Sequence, residues 1–306
     1  MKKHSRGQNS IDEARGFSRR HFVKMAGITA LGVSSFGLSD FYTKRVSIIS
    51  DPEDRIAGSP SAQWASKELE NSLTCRGISV FRYKNLSQAG TGDFSIVVSG
   101  MDSSIARRLL KAGKTNIPAV PEALGLVPVN LAGKQVLLTC GYDVRGLIYA
   151  ILELADRVQN STQPLDSLNI RKPVVEVPSN VIRSLNRLFV SEIEDKPWFH
   201  DREMWPQYLT MLATHRFNRF NLSLGIGYDF LQNVTDGYFL FAYPFLLNVP
   251  GYNVRVPQLP DSEREKNLEM IRFISAQTVA RGLQFQLGIW MHGYEWIKSP
   301  DANYTI

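Results

Sequence analysis

Residues Ser179 to Gly225 read SNVIRSLNRLFVSEIEDKPWFHDREMWPQYLTMLATHRFNRFNLSLG, and this stretch decides the fold. Val181 to Val190 is a largely apolar run of strand length, with Arg183 and Asn186 among its polar interruptions. A loop rich in acids and aromatics follows. Trp205, Tyr208, Leu209, Leu212 and Ala213 then recur at three- and four-residue spacings, which puts them on one face of a helix. Phe217 to Leu224 mixes apolar Phe217, polar Asn218 and Arg219, then Phe220, Asn221 and Leu222, and reads as a second strand. Strand, short helix and strand in this order form the repeat of a parallel α/β architecture, because parallel neighbours need a crossover helix between them.

The chain continues in kind. Asp261 is placed to cap a helix over Ser262 to Gly282, with Leu268, Ile271, Ile274, Ser275 and Val279 on one mainly apolar stripe and Arg281-Gly282 closing it. Leu283 to Trp290 (LQFQLGIW) is a third strand. A closed (β/α)8 TIM barrel needs about five more strands. The sequence therefore predicts an incomplete barrel over 179–306, a fragment with exposed sheet edges.

Upstream, residues 46–178 predict a separate small α/β domain. Val46 to Ser50, Ile78 to Phe81 and Phe94 to Ser99 are strands, and Ser61 to Leu73 and Ser103 to Ala112 are helices. Leu126 to Asn130 and Gln135 to Cys140 flank Ala132-Gly133-Lys134 as a hairpin. Asp143 caps a helix over Val144 to Val158, whose Leu147, Ile148, Ile151, Leu152 and Ala155 face the sheet. Gln159 to Pro178, with three prolines and little periodicity, reads as a linker.

Charge narrows the function. The 306 residues are ordinary globular material, 43% hydrophobic and 21% charged. Residues 1–45 hold nine Lys or Arg against three acids, which accounts for the whole net charge of +6; the other 26 basic and 26 acidic residues cancel. A near-neutral body gives no nucleic-acid surface. Ser18-Arg19-Arg20-His21-Phe22-Val23-Lys24 precedes a weakly apolar run, Met25 to Leu38, too short to span a bilayer. This is the pattern of a twin-arginine signal, so the sequence predicts recognition by that export machinery and a periplasmic or secreted protein, with the membrane touched only through the signal segment. Cys75 and Cys140 read as two small buried thiols, with a disulfide as the alternative.

Several motifs resemble the β-hexosaminidases and α-glucuronidases. Gly133-Lys134-Gln135-Val136-Leu137-Leu138, followed by Gly141-Tyr142-Asp143-Val144-Arg145-Gly146-Leu147-Ile148-Tyr149-Ala150, is similar to the end of the small domain that precedes the barrel in those families. Arg183 resembles their strand-one arginine and Arg216-Phe217-Asn218 their R-x-N segment. Arg281-Gly282-Leu283-Gln284, leading to His292-Gly293, resembles their third strand. The resemblance implies an exported glycoside hydrolase acting on oligo- or polysaccharide. It also implies a catalytic Asp-Glu pair at the end of a fourth strand, beyond this sequence. The third strand departs from the family, since Leu287-Gly288-Ile289-Trp290-Met291-His292 stands where hexosaminidases carry P-E and P-G-H.

Active sites of such barrels lie at the C-terminal ends of the strands. Carboxylates and flat aromatic rings suit the hydroxyls and the apolar face of a sugar ring. The candidate substrate-binding residues are Arg183, Asn218, Trp198, His200, Trp290, His292 and Glu295. Arg183 serves equally as a salt-bridge partner in the barrel floor, and Asn218 and Asn221 suit loop backbone. No metal is expected, because His200-Asp201-x-Glu203 lacks helical His spacing and a third ligand. No cofactor is expected either: no strand is followed by G-x-G-x-x-G and no cysteine cluster occurs, which weakens the reading as an exported oxidoreductase. A non-catalytic carbohydrate-binding protein is the other alternative.

Overall fold

Alternating hydrophobicity builds a six-stranded sheet in the N-terminal half. The computed structural model describes residues 45–131, 133–189, 192–224, 246 and 260–289. Strands β1 (Arg45–Ile49), β2 (Ser79–Tyr83), β3 (Phe94–Gly100), β4 (Leu124–Leu131), β5 (Lys134–Gly141) and β6 (Val174–Glu176) lie in the order β2-β1-β3-β5-β4-β6. The first four positions in that order are parallel, and β4 runs antiparallel to both β5 and β6. Period-two alternation sends Val46, Ile48, Ile96 and Val98 to one face. Helices α1 (Pro60–Cys75) and α3 (Val144–Asn160) cover that face. Ile49, Val97, Val127 and Leu138 turn to the other, where α2 (Ser104–Ala112) contributes Ala106 and Leu109. The result is three layers, helix, sheet and helix.

The segment expected to be a linker holds a short helix, α4 (Pro164–Leu168), and β6 itself, the edge strand of the sheet. Three residues are too few to show periodicity, so the strand is visible only through its partner β4.

The second sheet is β7 (Ser184–Phe189), β8 (Arg219–Leu224) and β9 (Gln284–Ile289), all parallel in the order β7-β8-β9. Helices α5 (Glu192–Phe199) and α6 (Met204–Thr214) cross from β7 to β8, and α7 (Asp261–Ala280) leads into β9. The expected loop after β7 thus contains a helix, α5, formed around Pro197. Asp261 stands in the first turn of α7 and Pro260 at its cap, one residue from the predicted position. The buried stripe of α7 is Asn267, Met270, Ile271, Ile274 and Thr278, while Val279 is 58% exposed. Polar residues at 267 and 278 hid the true phase of this helix: Thr278 Oγ1 returns its hydrogen bond to Ile274 O at 2.7 Å.

Helix α3 is apolar almost all round, and it is buried almost all round. Its first turn shows why Gly146 is needed: a Cβ there would stand 2.3 Å from Ala123 O. Its far side meets the β/α units, where Gly282 has φ +75° and a Cβ would stand 2.6 Å from Ile148 Cδ1. The two sheets accordingly belong to one compact unit.

Both cysteines are free, and Cys75 is exposed rather than buried as expected, because α1 ends there at the surface. Burial pushes the Cys140 thiol up to about 12. At mild alkaline pH a thiol reagent is therefore expected to label Cys75 promptly and Cys140 only after denaturation. Equal labelling rates in the native protein would contradict this packing.

Candidate functional site

Glu122 ties the two halves together. It lies in the loop before β4, 5% exposed, with φ +63°, a left-handed conformation that non-glycine residues rarely adopt. Its Oε1 accepts from Arg145 Nη1 and from Asn218 Nδ2, each at 2.9 Å, and its Oε2 accepts from Arg183 Nη2. Burial alone would push this carboxyl up; the hydrogen bonds from Arg183, Asn218 and Arg145 outweigh it and hold the group below the ordinary carboxylate value.

The rest of the junction is built the same way. Arg183 Nε donates to Arg216 O at 2.6 Å, and Arg183 N donates to Asn218 Oδ1 at 2.9 Å. Tyr149 Oη donates to Phe217 O at 3.1 Å, and Arg145 Nε to Gly282 O at 3.0 Å. Arg216, also left-handed at φ +62°, pairs with Glu153 at 2.9 Å and with Glu176. Two non-glycine residues thus sit in a strained region, and each is held there by ion pairs across the junction. The sequence motif Asp143-x-Arg145-Gly146-x-x-Tyr149 is accounted for by this junction: Asp143 caps α3 through Gly146 N, and the other three face the β/α units or the loop at Ala123.

Arg183 and Asn218 accordingly stand at the N-terminal starts of β7 and β8, opposite the strand ends where barrel chemistry is carried out. Their donors are committed to Glu122, to the Tyr149 hydroxyl and to backbone carbonyls.

Trp198 and His200 lie toward the other end. The Trp198 ring meets Phe189, the last residue of β7, with centroids 5.6 Å apart, and meets Trp205 at 5.7 Å. The Arg187 guanidinium covers it at 4.0 Å, while its Nε1 donates to Asp195 Oδ1 at 2.9 Å. Trp198 is thereby part of the aromatic layer between strand and helices. His200 is half-buried against α7. Burial, reinforced by Lys196, pushes its imidazole below the ordinary histidine value, against Glu263 and a hydrogen bond with Asn267. Asp201, its neighbour, accepts from Glu203 N at 2.8 Å and Met204 N at 2.9 Å and so starts α6. Trp290, His292 and Glu295 lie outside the described residues.

Sequence reasoning missed Glu122, whose loop carries no periodic signal. It also missed the polar row Asn186, Asn221 and Gln286, which strand alternation could have found. A cleft of about 1210 Å³ lies elsewhere, at the C-terminal ends of β1 and β3. There Asp54 accepts from Ser99 Oγ and Gly100 N, both at 2.7 Å, pinning one loop to the next. Carboxylates line that cleft but no aromatic ring does, so it lacks the pairing that a sugar requires.

No protein-family model matches the chain, nor does any curated protein sequence. Solved structures that are similar to the chain include two whose names mark glycoside hydrolase families. A GH138 enzyme targeting pectin rhamnogalacturonan II matches 78% of this chain and 30% of its own at 21% identity, with a TM-score of 0.51. CpGH84D matches 85% of this chain and 36% of its own at 10% identity, with a TM-score of 0.47. The chain spans about a third of the length of these structures. The likeness to the GH138 enzyme shows that the chain shares an α/β fold with it over the matched residues.

Proposed function

We propose that this chain is part of an exported glycoside hydrolase of the hexosaminidase or α-glucuronidase type, acting on O-glycosidic bonds of extracellular or periplasmic oligo- or polysaccharide. The observation that carries this reading is the order of parts: a small α/β domain locked by Glu122 onto the first strands of a parallel β/α array, in a fold shared with a GH138 enzyme. In this reading the three β/α units open a (β/α)8 barrel. The loops after β7, β8 and β9 form the substrate face, with Trp290, His292 and Glu295 contributing from the last of them. Arg183 and Asn218 act at one remove, fixing where β7 and β8 begin. Trp198 and His200 support the wall behind the first loop.

Hydrolysis needs an acid and a base or nucleophile on either side of the glycosidic oxygen. In this reading both come from strands after β9. Export rests on Ser18-Arg19-Arg20-His21-Phe22-Val23-Lys24. The test is release of new reducing ends by the native-length gene product from a panel of soluble plant and bacterial polysaccharides. Time-dependent release from one polysaccharide class is expected. Binding without release would favour a carbohydrate-binding protein, and the absence of both binding and release would overturn the reading.

A further inference from the structure

The face of β7–β9 turned away from the helices is polar. Register places Ser184, Arg219 and Gln284 in one row, Asn186, Asn221 and Gln286 in the next, and Leu188, Ser223 and Gly288 in the third. The alternate residues, among them Phe220, Leu222, Leu224, Phe285 and Leu287, pack against the helices. Of nine positions on the polar face, only Leu188 carries an apolar side chain. The interior of a filled barrel is dominated by bulky branched apolar residues. This face is built for something else.

We propose that it is the floor of a sugar pocket, in which the amides of Asn186, Asn221 and Gln286 bind the hydroxyls of one pyranose ring. The proposal rests on the glycosidase reading above and names the contact that reading leaves open. In the lowest row, Arg219 Nη2 donates to Gln284 Oε1 at 3.1 Å and closes the floor. In the middle row, Ser223 Oγ donates to Asn186 Oδ1 at 2.9 Å, and Asn221 Nδ2 approaches Ser223 Oγ at 3.4 Å. This leaves Asn221 Oδ1 buried and without a donor. A buried carbonyl without a donor is unfavourable, so a donor is called for. In the top row the Ser223 hydroxyl fills the place of a side chain at 288, since a Cβ there would stand 2.7 Å from Ser223 Oγ. Asn186 and Gln286, on either side of Asn221, are exposed. Amides donate and accept within one group, as vicinal ring hydroxyls do, which matches a sugar better than an apolar side chain or an anion.

The test uses the native-length protein and saturation-transfer NMR with a panel of free monosaccharides. Wild type is expected to bind at least one of them. Asn221→Leu should weaken that binding about tenfold or more, the loss of one hydrogen bond in a buried site, while Asn221→Asp, which keeps the acceptor, should bind within a few-fold of wild type. Gln286→Leu, at an exposed position, should also lose about tenfold and guards against a folding defect at 221. Wild type that binds no monosaccharide, or Leu variants that bind as wild type, overturns the proposal. Turnover of a polysaccharide that these variants leave unchanged overturns the pocket and leaves the hydrolase standing. Sugar binding lost in the variants without any turnover does the reverse.

Discussion

Glu122→Ala is expected to lower stability by about 3–5 kcal/mol, the loss typical of removing one partner from a buried ion pair. The physical reason is what stays behind. Arg183 and Arg145 would face each other with no anion between them, and Asn218 Nδ2 would lose its acceptor. Because these donors come from both halves of the molecule, the loss should appear as one cooperative shift of the denaturation midpoint rather than as melting of one half. Glu122→Gln keeps the shape and removes the charge, so it should cost less. The pH dependence follows from the same contacts. The folded carboxyl titrates below its unfolded value. Its stabilisation is therefore complete above the unfolded carboxylate range and is lost as pH falls through the folded value. Glu122→Gln should flatten that part of the acid limb. An unchanged midpoint in Glu122→Ala would show that the junction does not hold the halves together.

Trp205→Ala is expected to cost a similar amount, about 3–5 kcal/mol, by opening a cavity between α6 and β8. Trp205 is 0% exposed, its ring meets Phe220 at 5.6 Å and Tyr208 at 6.0 Å, and its Nε1 donates to Phe199 O at 2.8 Å. Trp205→Phe should recover part of the packing while leaving the Phe199 carbonyl without its donor. Thermal melts of the two variants check this. A loss below about 1 kcal/mol in the alanine variant would mean that the aromatic layer collapses around the gap.

Much of this architecture was legible from periodicity. The helix-face set Trp205, Leu209, Leu212 and Ala213 is buried as spaced, and the β4–β5 hairpin and the Asp143 cap stand where turn and cap chemistry put them. What failed has physical causes. Strand β6 is too short to show a period, Asn267 and Thr278 masked the buried stripe of α7, and Pro197 made a helix look like a loop. The candidate site was less legible. Arg183 and Asn218 were found from motif resemblance at the openings of β7 and β8, where they stand, but a motif does not name the residue they meet. Their partner Glu122 lies 61 and 96 positions away in the chain. The row Asn186, Asn221 and Gln286 was in plain view as alternate strand positions, and it takes meaning only once the three strands are in register.

The proposed activity is hydrolysis of glycosidic bonds. The most direct measurement is digestion of a defined oligosaccharide by the native-length protein in heavy-oxygen water, followed by mass spectrometry of the products. The account predicts shorter saccharides, one of each cleaved pair carrying a single heavy oxygen at its new reducing end. Products of the original mass, or unsaturated fragments without heavy oxygen, would contradict it.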